Sequence, residues 1–299
     1  MKRQIKGVLN GTIASASYGT NPLFALPLFA SGIGVNSVLF YRYAIAVVIF
    51  GLWLKFVKKI SLRINFKELS FLFILGLLFS LSSLTLFDAF RYIEAGIACT
   101  ILFIYPVLVA IIMAMFFRER MSFNVIVSIF LTSLGIVLLY HGGGSASLNI
   151  HGVSVVFASA LLYALYIVGV KNIKTIRHIN SLKMSFYVML FGLLVYVVNL
   201  DFGRELQILN SPLLWGYVLG LALFPTIISL ETINIAIKLI GSTKTAILGA
   251  LEPLTAIFIG ILFFDEHLTL RISIGVLLIL FGVILAVTRK QTYKNSCTS

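Results

Sequence analysis

Two carboxylates interrupt this chain inside long apolar runs, where water is scarce. Glu252 stands directly before Pro253, about halfway along one run. An ionised carboxylate at that depth costs about 2.5–3.5 kcal/mol on insertion scales. It therefore implies a cavity, a partner cation, or a proton carried on the acid itself. Glu231 lies one run earlier, with Asn234 and Lys238 on its helical face at i+3 and i+7. Lys238 is placed to snorkel to an interface. Lys244 opens the next run, in position to pair with Glu231 as an inner gate or as a structural ion pair. Arg42 and Asp88 fall near the outer ends of their runs. They could pair with each other or attract a charged ligand, and Arg91, at i+3 from Asp88, competes.

Tyrosines and amides complete a candidate polar cavity: Tyr18, Asn21, Tyr105, Tyr163, Tyr166 and Asn234. A tyrosine can stack on a bound molecule and donate one hydrogen bond, although tyrosines also fill bundles and mark interfaces. Four prolines fall within the runs, at Pro22, Pro106, Pro225 and Pro253. Each removes a backbone donor and is expected to kink its helix, either beside a wet path or as a purely structural bend. The four histidines show no ligand spacing, so no metal is expected. Cys99 and Cys297 are too far apart in the chain to suggest a bridge. No Gly-x-x-x-x-Gly-Lys-Ser/Thr loop is present, and no cofactor is expected.

The elements that position these groups follow from composition. Hydrophobic residues make up 60% of the 299 residues and charged ones only 11%, with a mean hydropathy of +1.07. A soluble domain carries about 25% charged residues, so this surface must face lipid. Ten apolar segments of roughly membrane-spanning length are expected: 7–29, 38–56, 69–91, 95–117, 121–140, 152–171, 182–200, 212–237, 243–264 and 268–288. Their apolar runs are continuous rather than alternating, which favours helices over a barrel. The first is too long for a cleavable signal. With a cytoplasmic N-terminus, every Lys and Arg except Arg42, Arg91, Arg204 and Arg271 falls in an inner segment. The positive-inside rule thus predicts ten spans with both termini cytoplasmic. It also accounts for the net charge of +13 without nucleic acid.

The chain is internally duplicated. Residues 85–140 align without a gap on residues 232–287. Thr85 matches Thr232, Ala89 matches Ala236, Arg91 matches Lys238, Pro106 matches Pro253, Glu119 matches Glu266 and Gly135 matches Gly282. In the same register Tyr105 is the mate of Glu252. Looser matches pair Tyr18 with Tyr163. Five spans per half is an odd number, so the second half must enter from the opposite side. The exit Arg118-Glu119-Arg120 becomes Asp265-Glu266-His267, its positive charges gone, as inversion requires. The expected organisation is a first repeat over 1–140, a Gly/Ser-rich linker over 141–150, and an inverted second repeat with a basic tail over 151–299. Gly7, Gly11, Ser15 and Gly19 form a stripe of small residues on the first span, for static packing or for sliding.

These features resemble the EamA-type family of the drug/metabolite transporter superfamily. The motif Ala89-Phe90-Arg91-Tyr92, then Pro106, Glu119 and Gly135, carries the likeness, with the second copy Ala236-Ile237-Lys238-Leu239, Pro253, Glu266 and Gly282. Leu239 departs from the aromatic of the pattern. The resemblance implies an all-α integral membrane fold of two inverted five-helix repeats in the inner membrane. It implies a secondary transporter, not an enzyme, that exports a small organic solute such as an amino acid or metabolite by alternating access. Proton coupling would rest on Glu252 and Glu231. The expected partners are a small-molecule substrate and the lipid bilayer, with the chain a monomer or homodimer. A lipid-modifying enzyme or a nucleotide-sugar antiporter are the alternatives. The acidic and histidine residues are scattered for the former, and basic cavity residues are few for the latter.

Overall fold

The computed structural model describes residues 2–89, 91–93, 98, 101–119, 121–139, 149–263 and 270–288. Tyr140, residues 141–148 of the expected linker, the exit motif at Glu266 and the basic tail beyond 288 lie outside the described residues. So do Arg120 and Cys99. The described residues are predominantly helical and include no strand. Before the linker come α1 (Lys2–Tyr18), α2 (Asn21–Ala30), α3 (Val35–Leu52), α4 (Phe66–Ala89), α5 (Tyr105–Phe117) and α6 (Phe123–Leu139). After it come α7 (Ile150–Asn172), α8 (Ser181–Asn199), α9 (Pro212–Ala222), α10 (Ser229–Ile240), α11 (Ser242–Leu248), α12 (Leu251–Phe263) and α13 (Leu270–Thr288). A π-helical turn extends α3 over Trp53–Val57, and another joins α9 to α10 over Leu223–Ile228.

By length and composition, five of these stretches can cross a membrane: Val35–Val57, Phe66–Ala89, Ile150–Asn172, Ser181–Asn199 and Pro212–Ile240. Tyr105–Phe117, Phe123–Gly135 and Ser273–Leu285 are shorter apolar helices. The prolines explain much of the difference from ten uninterrupted spans. Pro22, Pro106 and Pro253 do not bend continuous helices. Each occupies the first turn of a new helix, α2, α5 or α12, where its missing N–H has no partner to lose. Pro225 lies in the π turn. The first apolar segment is accordingly broken at Gly19-Thr20 and the ninth at Gly249-Ala250.

The main packing joins helices from opposite sides of the linker. α6 lies on α13, α1 on α10, α4 on α7 and α8, and α3 on α8. Glycines permit the closest approaches. A Cβ on Gly135 would meet the Gly275 carbonyl oxygen at 2.7 Å, and one on its repeat mate Gly282 would meet the Ser128 carbonyl oxygen at 3.0 Å. The small-residue stripe of α1 is used in the same way. A Cβ on Gly11 would meet Leu248 Cδ1 at 2.5 Å, and one on Gly19 the Glu252 carbonyl oxygen at 2.6 Å. Outward-facing side chains are strongly apolar: Phe116, Phe130, Phe258, Leu277 and Phe281 are all exposed, as a lipid-facing surface requires.

The two ends of the bundle differ in charge. At one end, Lys55, Lys58, Lys59, Arg63 and Lys67 flank the α3–α4 link, and Lys174, Arg177 and Lys183 the α7–α8 link. His178 Nε2 meets Glu68 Oε1 at 2.8 Å between these links. At the other end, Arg91 and Arg204 each sit beside their own acid, Asp88 at 3.3 Å and Asp201 at 3.1 Å.

Candidate functional site

Three helix breaks meet in the middle of the bundle. The end of α1 lies against the start of α12, where Gly19 faces the Glu252 backbone. The start of α5 lies against the α11–α12 break, because the Tyr105 hydroxyl occupies the space a Cβ on Gly249 would need. A break exposes backbone groups that a continuous helix would satisfy. Irregular backbone at this depth is tolerated where protein or a wet cavity covers it. The breaks therefore collect the polar side chains.

Glu252 is the second residue of α12. Its side chain is half-buried although it lies inside the bundle. Among the described residues, nothing hydrogen-bonds or ion-pairs with its carboxylate. Tyr18, Tyr105 and Tyr163 all lie within its electrostatic reach. Tyr105 and Tyr163 pack edge to face with ring centroids 4.8 Å apart, and Tyr163 stacks on Tyr166 at 6.3 Å. The carboxylate thus lies among packed phenol rings. Such rings suit a cationic or aromatic group through their faces and hydroxyl donors.

A buried cation lies on the Tyr18 ring. Arg42 is two turns inside α3 and wholly buried, not near an outer end as its sequence position implied. Its Nε donates to Thr226 Oγ1 at 2.5 Å, one terminal nitrogen to Asn21 Oδ1 at 3.1 Å, and the other to the Pro225 carbonyl oxygen at 3.0 Å. The guanidinium carbon lies 5.9 Å from the Tyr18 ring and 5.7 Å from the Tyr43 ring. The π turn at Pro225 explains the acceptor: it frees a carbonyl that an α-helix would use. Arg42 has no carboxylate partner within the described residues. The expected Arg42–Asp88 pair does not form, because Asp88 is held by Arg91 one helical turn away. Asp88 instead lines a separate cavity of about 790 Å³ at that end of the bundle, together with Phe29, Phe87, Arg91 and Gln207.

A second polar chain crosses α7, α8 and α10. Tyr166 donates to Asn234 Oδ1 at 2.6 Å, and Asn234 Nδ2 donates to Ser185 Oγ at 3.0 Å. Ser185 Oγ lies 2.7 Å from Glu231 Oε2 and 3.0 Å from the Ser181 carbonyl oxygen. That hydroxyl has one proton for two acceptors. A charged Glu231 takes it, whereas a protonated Glu231 donates to Ser185 and leaves Ser181 as the acceptor. The expected Glu231–Lys244 pair is not formed. Lys238 Nζ donates to the Ile179 carbonyl oxygen at 2.5 Å and lies on the Glu231 side of α10.

The structure therefore brings Tyr18, Asn21, Arg42, Tyr105, Tyr163 and Glu252 together, and joins Tyr166, Asn234 and Glu231 into a neighbouring chain. It leaves Asp88 and Lys244 outside both. Sequence reasoning missed Thr226, Ser185 and Tyr43, small or apolar-looking residues within hydrophobic runs. Their one available signal was position: Thr226 follows a proline, and Tyr43 follows an arginine.

Comparison with known proteins fixes the family. The model of the EamA-like transporter family matches this chain twice, over residues 5–141 and 150–288. The chain belongs to that family. The double match also reproduces the internal duplication. An uncharacterized transporter of Archaeoglobus fulgidus is 26% identical over 265 residues, covering 88% of this chain and 91% of the relative. The uncharacterized transporter YyaM of Bacillus subtilis is 25% identical, covering 82% of each. A solved structure titled "Crystal structure of protein" superposes with a TM-score of 0.79 at 17% identity, covering 97% of this chain and 98% of that one. That likeness shows the shared fold. This EamA-like chain is thus a multi-pass membrane protein built as two related halves, and its relatives are named as transporters.

Proposed function

We propose that this protein is a proton-coupled secondary exporter of a small organic solute, such as an amino acid or metabolite, working by alternating access between two inverted five-helix halves. The observation that carries the reading is Glu252: a carboxylate at the meeting point of three helix breaks, without a protein partner among the described residues, facing three tyrosines. A half-buried acid inside the bundle can exchange a proton for the cationic group of a substrate. Discontinuous helices at mid-depth are the usual carriers of such sites.

In this reading residues 1–140 and 151–299 are the two repeats, joined by a linker over 141–150. Ten segments cross the inner membrane, and both termini are cytoplasmic. The charge difference between the two ends supports that orientation. Glu231 and its Ser185–Asn234–Tyr166 chain form a second proton-responsive point, in contact with the central tyrosines through the Tyr163–Tyr166 stack. Asp88 stands at the outer entrance and Lys244 on the inner side. The transporter acts as a monomer or homodimer, needs no cofactor and performs no covalent chemistry.

Thermal unfolding of the purified protein against amino acids, amines, nucleosides, sugars and nucleotide-sugars tests the substrate class. A bound substrate stabilises the fold by mass action. The reading predicts stabilisation by an amine-bearing solute, lost in Glu252→Gln. Stabilisation by a nucleotide-sugar that is unchanged in that variant would contradict it.

A further inference from the structure

At the basic end of the bundle, the α3–α4 and α7–α8 links border a second, open cavity of about 400 Å³. Arg63, His178 and Lys183 line it, with Asn65, Asn180 and Glu68. Asn65 directly precedes α4, and Asn180 caps α8 by accepting from the Leu182 N–H at 3.0 Å. Two helix N-termini, each with a partial positive charge, therefore border the same space as the Arg63 and Lys183 side chains.

Among the residues lining the cavity, Glu68 is the one acid set against Arg63 and Lys183. Glu68 is already engaged: one oxygen accepts from the Asn65 N–H at 3.0 Å, and the other meets His178 at 2.8 Å. Lys183 Nζ donates to the Arg63 carbonyl oxygen, which draws its ammonium over the cavity. The Arg63 guanidinium itself has no hydrogen-bond or ion-pair partner among the described residues. Lys58, Lys59, Lys174 and Arg177 add positive charge in the same two links.

The residues next in sequence to the first lining stretch have the opposite chemistry. Phe56 and Val57 precede the first link and Phe66 follows it. Their exposures are 63%, 65% and 82%. A phosphate fits the cationic cavity, and only a molecule that also carries hydrocarbon makes use of these apolar flanks. We infer that this cavity holds the phosphate head group of an anionic phospholipid, whose chains run along Phe56, Val57 and Phe66. Basic pockets between helices on the cytoplasmic side have the chemistry for such lipids. The lipid tethers a link of the first half to a link of the second. Nothing around Glu252 is needed for this.

The test is thermal unfolding of the purified full-length protein with phosphatidylglycerol, phosphatidylcholine or inorganic phosphate added. Phosphatidylglycerol is expected to raise the midpoint by several degrees more than phosphatidylcholine, with phosphate alone giving no shift. The difference should vanish in Arg63→Ala/Lys183→Ala and persist in Arg63→Lys/Lys183→Arg. Arg63→Gln, which removes no structural hydrogen bond of the guanidinium, should lower the response without impairing folding. Equal shifts from the two lipids, or a phosphatidylglycerol response intact in Arg63→Gln and in the double alanine variant, would overturn the inference. A phosphate shift as large as that from phosphatidylglycerol would instead assign the cavity to free phosphate and overturn the lipid.

Discussion

The hydroxyl of Tyr105 fills the space above Gly249 that any larger residue would need. These two residues join the start of α5 to the α11–α12 break, and so join the two halves at the level of Glu252. A methyl at position 249 must push Tyr105 away or move the break. Overpacking of this kind costs about 1–3 kcal/mol. Gly249→Ala should lower the unfolding midpoint, and adding Tyr105→Phe should return most of the loss. Additive destabilisation by the two changes would show that the contact does not govern the junction.

Arg42 and Asp88 make opposite predictions. Arg42 is buried with three hydrogen bonds, whereas Asp88 and Arg91 form a surface pair. Lysine cannot span Asn21, Thr226 and the Pro225 carbonyl at once. Arg42→Lys should therefore cost roughly 1–3 kcal/mol from orphaned acceptors. Asp88→Asn should change stability by less than about 0.5 kcal/mol. The reverse ranking in thermal unfolding would mean that Arg42 relies on Asp88 after all.

Ser185 holds Glu231 and Asn234 with one hydroxyl. Ser185→Ala strands both and should cost about 1–3 kcal/mol, while Ser185→Thr, which keeps the hydroxyl, should lose less. If Glu231 responds to protons through this link, Ser185→Ala also changes the pH at which transport is half-maximal. A pH profile identical to that of the parent would remove Glu231 from the coupling scheme.

The orientation can be read directly from chemical labelling. With Cys99 and Cys297 replaced, a single cysteine at Lys59 should be labelled by an impermeant reagent only from the cytoplasmic side, and one at Glu205 only from the outside. Both positions are exposed. Labelling of both from one side would refute the proposed topology.

Much of the fold was legible in the sequence because hydropathy and duplication are local signals. The expected segment 69–91 is the helix 66–89, and 182–200 is 181–199. The breaks were half legible. Pro22, Pro106 and Pro253 marked the places, but a proline alone does not say whether a helix bends or starts anew. The site was legible where a residue was costly by itself, as Glu252 is. It was not where partners come from far along the chain. Arg42 takes its acceptors from positions 21, 225 and 226, and nothing near Arg42 in sequence announces them. Charge offers Lys244 as one partner for Glu231, whereas a serine one helix away supplies the hydrogen bond.

The measurement that bears most directly on the whole account is solute flux into or out of sealed proteoliposomes under an imposed pH gradient, for the parent protein and Glu252→Gln. The account predicts gradient-driven accumulation by the parent. In the variant, the gradient no longer drives uptake. Accumulation by Glu252→Gln equal to the parent's, at the same gradient, would contradict the claim that this carboxylate carries the coupling proton.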